Sequence, residues 1–157
     1  MSASSQRPII LLVEDSEDDV FFFSRALRES GFDCELVHQP DGSAAIDYLE
    51  RSLQAAASIH RPDLVFLDLK LPTFTGFEVL SWIRDAEFSP PLDVAILSGS
   101  EHAGDVERAL SLGASGYYVK PILAQQLKAR FGSWHEKQTG RHLPARTGVP
   151  AAAERTE

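Results

Sequence analysis

The sequence holds one cysteine, one methionine and two tryptophans among its 157 residues. A lone cysteine, Cys34, excludes an internal disulfide. Its place beside an apolar stretch reads as a buried small hydrophobe in a reducing compartment. Basic residues are scarce, with 15 Lys and Arg against 23 Asp and Glu and a net charge of −8. That deficit excludes general binding to nucleic acid, which needs a basic surface, but it leaves room for an acidic pocket that holds a cation. No apolar run approaches the ~20 residues that span a bilayer, and Met1 to Arg7 is short and polar, unlike a signal peptide. The expectation is a soluble, cytoplasmic protein with no membrane partner. The phosphate-cradling loops GxxxxGK(S/T) and GxGxxG are missing, which argues against nucleotide binding. The histidines His38, His60, His102, His135 and His142 fall at no metal-ligand spacing.

What the chain does have is alternation. A hydrophobic fraction of 43% suffices for one core. Ile9 to Val13 is a continuous apolar run, the pattern of a strand buried on both faces. Ser16 can cap a following helix, with Asp18 and Asp19 in its first turn, where the helix dipole favours negative charge. Val20, Phe23 and Leu27 recur at helical spacing before Gly31 ends the run. Further strands are expected at Glu35 to His38, Leu64 to Leu67, Val94 to Leu97 and Tyr117 to Val119. Between them, helices carry Ile46, Leu49 and Leu53, then Val79, Leu80 and Ile83, then Val106, Ala109 and Leu110. Leu127, Phe131 and Trp134 mark a last helix, weakened by about 1 kcal/mol at Gly132 relative to alanine.

Five such units with short connections predict an α/β fold, a five-stranded parallel sheet with helices on both faces. One domain is expected over residues 8–137, after a disordered start at 1–7. From Gln138 to Glu157 the apolar periodicity stops, which reads as a flexible tail.

The chemistry-bearing residues stand at the carboxyl ends of the strands, where such sheets bind ligands. They are Glu14-Asp15, Asp68, Ser98 and Lys120-Pro121. Each has a plain structural reading: a helix-capping acidic pair, a strand-end turn, a helix N-cap and a solvated lysine. Converging in space, they form a Mg²⁺ and phosphoryl site instead. Asp15 and Asp68 can bind the ion directly, and Glu14 directly or through a water. Asp68 is then the candidate nucleophile, because a carboxylate can attack phosphorus and form an aspartyl phosphate. The ion, the Lys120 ammonium and the Ser98 hydroxyl would each take one phosphoryl oxygen. The X-Pro bond after Lys120 could be cis and fix its loop.

These residues resemble the receiver domain of bacterial two-component response regulators. The likeness rests on Leu11-Leu12-Val13-Glu14-Asp15, on Asp68-Leu69-Lys70-Leu71-Pro72 with Gly76, on Ser98-Gly99, and on Gly113 through Pro121. It implies the flavodoxin-like strand order 2-1-3-4-5. It also implies phosphate transfer to Asp68 from a histidine kinase, and a metal ligand from the backbone carbonyl of Lys70. It further implies a switch in which Ser98 moves toward the phosphoryl group and Tyr117 turns inward, although a half-buried strand aromatic at Tyr117 needs no such role. The surface repacked by that switch, on the fourth and fifth helices, is where a homodimer would form.

Two features depart from a minimal receiver. Leu53 to Arg61 lengthens the approach to the third strand, which resembles the stand-alone regulators that serve phytochrome-type sensor kinases. Thr75 replaces the acidic or amide residue that often precedes the glycine. Two other classes compete. An aspartate-nucleophile phosphatase would want a second aspartate two residues after the first, and Lys70 stands there. A phosphorylation-independent interaction module would not need the full acidic, hydroxyl and lysine set.

Overall fold

The computed structural model describes residues 7–54 and 59–140, with side chains in the last helix described as far as Ser133. Five strands and five helices alternate strictly: β1 (Ile9–Val13), α1 (Glu17–Ser30), β2 (Glu35–Gln39), α2 (Gly42–Ser52), β3 (Leu64–Leu67), α3 (Gly76–Asp85), β4 (Val94–Ser98), α4 (Ala103–Ser111), β5 (Gly116–Val119) and α5 (Ala124–Gly140). The strands form one parallel sheet in the order β2-β1-β3-β4-β5, the expected topology.

Period-two alternation along the central strands sorts the core into two layers. Leu11, Val13, Val65, Leu67, Val94 and Ile96 face α2, α3 and α4, where they meet Leu49, Val79, Leu80 and Ile83. Ile10, Leu12, Leu64, Phe66, Ala95 and Leu97 face α1 and α5, where they meet Phe23, Leu27, Leu127 and Phe131. Each such Val, Leu, Ile or Phe side chain taken wholly from water contributes about 1.5–3 kcal/mol. Phe23 meets the ring of Phe66 edge-on at 5.0 Å, which fixes α1 over the middle of the sheet.

Local signals set the helix ends. Ser16 caps α1 by accepting the Asp19 N–H, and Gly31 stops it in the left-handed conformation at φ 77°. Thr75 forms a reciprocal capping box with Glu78 at the start of α3. That gives the residue before Gly76 a role of its own.

Leu53 and Leu110, which helical spacing groups with Leu49 and Ala109, are both exposed. Leu53 is the C-cap of α2, past its last regular turn. Leu110 follows Ala109, the buried residue of α4, and one step along a helix rotates a side chain by about 100°. Cys34 is half-buried rather than buried, just ahead of β2, and burial pushes its thiol above its ordinary range.

The helix α5 continues to Gly140, past the expected start of the tail at Gln138. The side chains of Trp134 and His135, His142, the rest of the tail, residues 1–6 and residues 55–58 of the Leu53–Arg61 stretch lie outside the described residues. Among the described residues no helix is long and apolar enough to cross a membrane.

Candidate functional site

Parallel pairing brings the strand ends to one edge. Val13 stands opposite Leu67 and Leu67 opposite Ile96, while Ser98 stands opposite Val119. Glu14-Asp15, Asp68, Ser98 and Lys120 therefore leave neighbouring strands at nearly one level. Main-chain bonds tie the exits together: Asp68 N–H donates to the Val13 carbonyl at 3.1 Å, and Lys120 N–H to that of Ser98 at 2.8 Å.

Lys120 is the hub. Its Nζ lies 2.7 Å from Glu14 Oε1, 2.8 Å from Asp19 Oδ2 and 2.9 Å from Asp68 Oδ2. Hydrogen bonds run to Asp19 and Asp68, and the buried Glu14 Oε1 is held by its ion pair with the same ammonium. Burial works against the ammonium's charge, yet Asp19, Glu14 and Asp68 outweigh it and hold the group protonated above lysine's ordinary range. Burial likewise pushes the Glu14 carboxyl up to about 7, against the pull of the Lys120 ammonium and the Ser16 N–H.

The donor set fits a divalent cation. Glu14, Asp15 and Asp68 can each offer one carboxylate oxygen within 4.8 Å of the others, Glu14 and Asp68 buried and Asp15 exposed to solvent. Three clustered carboxylates that repel one another, one of them open to water, suit an ion that takes oxygen ligands and keeps several waters.

Asp68 itself is 5% exposed. Its Oδ1 accepts the Lys70 N–H at 3.3 Å, so the lysine two residues on presents its amide to the carboxylate. Gly76 secures the approach of α3: a Cβ there would lie 2.2 Å from the Asp68 carbonyl oxygen and 2.7 Å from Leu69 Cα. Only glycine lets helix and strand end meet so closely. The intervening loop is pinned to α2, with Ser43 N–H donating to Thr73 Oγ1 at 2.9 Å.

Ser98 ends β4 and is buried. Its Oγ accepts the Ser100 N–H at 3.1 Å, and His102 is the N-cap of α4, so the capping reading of Ser98 fails. Tyr117 is half-buried, and its hydroxyl donates to the Ser100 carbonyl at 2.8 Å. The Lys120-Pro121 bond is cis.

Sequence reasoning missed two participants. The helix dipole accounts for Asp19 in the first turn of α1 without calling for its contact with Lys120, although that turn opens directly after Glu14-Asp15. His38, on the edge strand β2, brings Nε2 to 2.7 Å from the Glu14 carbonyl, and no spacing rule signals that contact.

Known proteins resemble this chain in both sequence and fold. Residues 10–131 match the response regulator receiver domain family. The chain is 38% identical over 120 residues to the probable methanogenesis regulatory protein FilR2 of Methanothrix harundinacea, covering 76% of each. The structure of the phosphorylated cyanobacterial phytochrome response regulator RcpA superposes with a TM-score of 0.68 at 30% identity, covering 94% of this chain and 100% of that one. The Mn(2+)-bound form of response regulator Rcp1 gives a TM-score of 0.63 at 30% identity, with 90% and 99% covered.

Proposed function

The chain belongs to the response regulator receiver family, and on that premise we propose that it is a phosphoacceptor that signals by changing its binding surface. One observation carries the reading: the Lys120 ammonium sits 2.9 Å from Asp68 Oδ2, beside an oxygen cluster suited to a divalent ion. Asp68 attacks the phosphorus of a phosphohistidine, and the new P–O bond forms as the P–N bond breaks and the electron pair leaves with the imidazole nitrogen. Lys120 and Ser98 receive phosphoryl oxygens, so the chain's part is positioning and neutralisation rather than turnover of outside substrates. Glu14, Asp15, Asp68 and the Lys70 carbonyl would hold Mg²⁺, which when bound neutralises charge on the transferring group.

The partner this reading favours is a sensor histidine kinase. Likeness to a phytochrome response regulator supports a phytochrome-type kinase. The switch runs from Ser98 to Tyr117, and the exposed Leu110 on α4 and Leu123 ahead of α5 suit a homodimer across the α4–α5 face. Sedimentation showing a monomer with and without a phosphoryl mimic would remove the dimer.

The test is chemical. Incubated with phosphoramidate and Mg²⁺, the protein takes one phosphoryl label by intact mass, and Asp68→Asn takes none. A label persisting in the variant would refute the assignment.

A further inference from the structure

Of the three carboxylates against Lys120, Asp19 alone stands outside the cluster that could share a cation. It is nonetheless built into the site. Ser16 N–H donates to Glu14 Oε2 at 3.1 Å, Ser16 Oγ accepts the Asp19 N–H at 3.3 Å, and Lys120 Nζ donates to Asp19 Oδ2 at 2.8 Å. Lys120 then returns to Glu14 Oε1 at 2.7 Å and closes the ring. The N-terminus of α1 thus fixes Asp19 from the main chain, at a helix end that favours its negative charge.

A lysine ammonium is a compact charge on a flexible stem. During transfer its other two partners change: one Asp68 oxygen enters a P–O bond, and Glu14 belongs to the metal cluster. Asp19 is the partner the reaction leaves unaltered. We propose that Asp19 is a positioning residue for phosphoryl transfer, holding the Lys120 ammonium against Asp68 while Glu14 and Asp68 change state. The inference rests on the phosphoacceptor reading above.

The full chain, Asp19→Asn and Asp19→Glu are labelled with phosphoramidate and Mg²⁺. In that reaction an Asp68 oxygen bonds to phosphorus, the P–N bond breaks and the nitrogen leaves with its electron pair as ammonia after taking a proton. The initial rate should fall by at least about tenfold in Asp19→Asn, within the roughly hundredfold that a 1 Å misplacement can cost. Asp19→Glu, which keeps the charge, should recover most of it. Calorimetric Mg²⁺ affinity should stay unchanged in both variants.

Labelling of Asp19→Asn at the wild-type rate or faster overturns the proposal, because the ammonium then needs no such anchor. A matching loss of Mg²⁺ affinity and labelling, with no recovery in Asp19→Glu, overturns it too, since Asp19 would then only support the local fold. No label on the wild-type chain overturns the phosphoacceptor reading and this inference with it.

Discussion

The backbone N–H of Lys120 donates to the carbonyl of Ser98 across 2.8 Å, so the ends of β4 and β5 are joined whatever side chain stands at position 120. Lys120→Ala should therefore keep the strand ends in place. It should still bind Mg²⁺ but fail to switch, and a partner affinity after phosphorylation equal to the wild type's would argue against that role. Without Mg²⁺ the variant loses the cation facing Glu14 and Asp68, both buried. Its stability should drop by about 3 kcal/mol, the cost of breaking a buried pair. Urea melts with and without Mg²⁺ should show the ion restoring most of that loss.

Asp15 is the exposed member of the oxygen cluster, so replacing it changes the proposed metal site with little effect on packing. Asp15→Asn should weaken Mg²⁺ binding by at least about tenfold, since even indirect supports of a metal site cost that much. Calorimetry reads the affinity, and equal binding in the variant would take Asp15 out of the ligand set. The urea midpoint in the absence of metal should barely move.

The strand order, the two-faced core and the convergence of Glu14, Asp68, Ser98 and Lys120 were legible because apolar runs such as Leu64-Val65-Phe66-Leu67 end directly on polar residues. The helix period sees less. It cannot tell where a buried stripe stops, so Leu53 and Leu110 carry the same apolar signal as Leu49 and Ala109 though both are exposed. The Asp19 contact joins residues 101 positions apart, and depends on where a flexible lysine points. Local pattern carries no such information. Gly76 could be read as a helix start, but its closeness to the Asp68 carbonyl exists only once β3 and α3 are packed.

Two glycines should respond oppositely to alanine. A Cβ at Gly76 meets main-chain atoms that cannot yield, the Asp68 carbonyl oxygen at 2.2 Å among them, so Gly76→Ala should cost about 1–3 kcal/mol and impair labelling of Asp68. A Cβ at Gly132, in α5, meets nothing within 4 Å. Gly132→Ala should add about 1 kcal/mol by helix propensity. Urea midpoints that move in the same direction for both would contradict the packing argument.

Cys34 offers a test of the half-buried edge beside β2. Burial raises its thiol pKa, so less thiolate exists at neutral pH than in an unfolded chain, and thiolate is the form that alkylates. Iodoacetamide should react more slowly with the native protein than with the protein in urea, and the native rate should climb into more alkaline pH than the unfolded rate does. Coincident pH profiles would show that the thiol is solvated in the native state.

Ser100 joins the parts of the proposed switch. Its N–H donates to Ser98 Oγ, its hydroxyl donates to Asp105 Oδ2 at 2.9 Å, and its carbonyl accepts the Tyr117 hydroxyl at 2.8 Å. If the Ser98 hydroxyl moves toward a phosphoryl group, it must loosen its bond from Ser100, and the strain passes to Tyr117 and to the first turn of α4. Tyr117→Phe removes the hydroxyl link while keeping the ring in its half-buried seat. The expected cost is about 1 kcal/mol, that of a single hydrogen bond, and Asp68 should still take its label. Amide shifts at Tyr118 on β5 between the free and beryllofluoride-treated protein should shrink, because displacement of Ser98 no longer reaches β5 through a fixed bond, while those at Asp105 on α4 should persist through the Ser100 hydroxyl. Shifts of wild-type size at Tyr118 in Tyr117→Phe would mean that β5 is reached by another route, with the aromatic at position 117 a passenger on the strand.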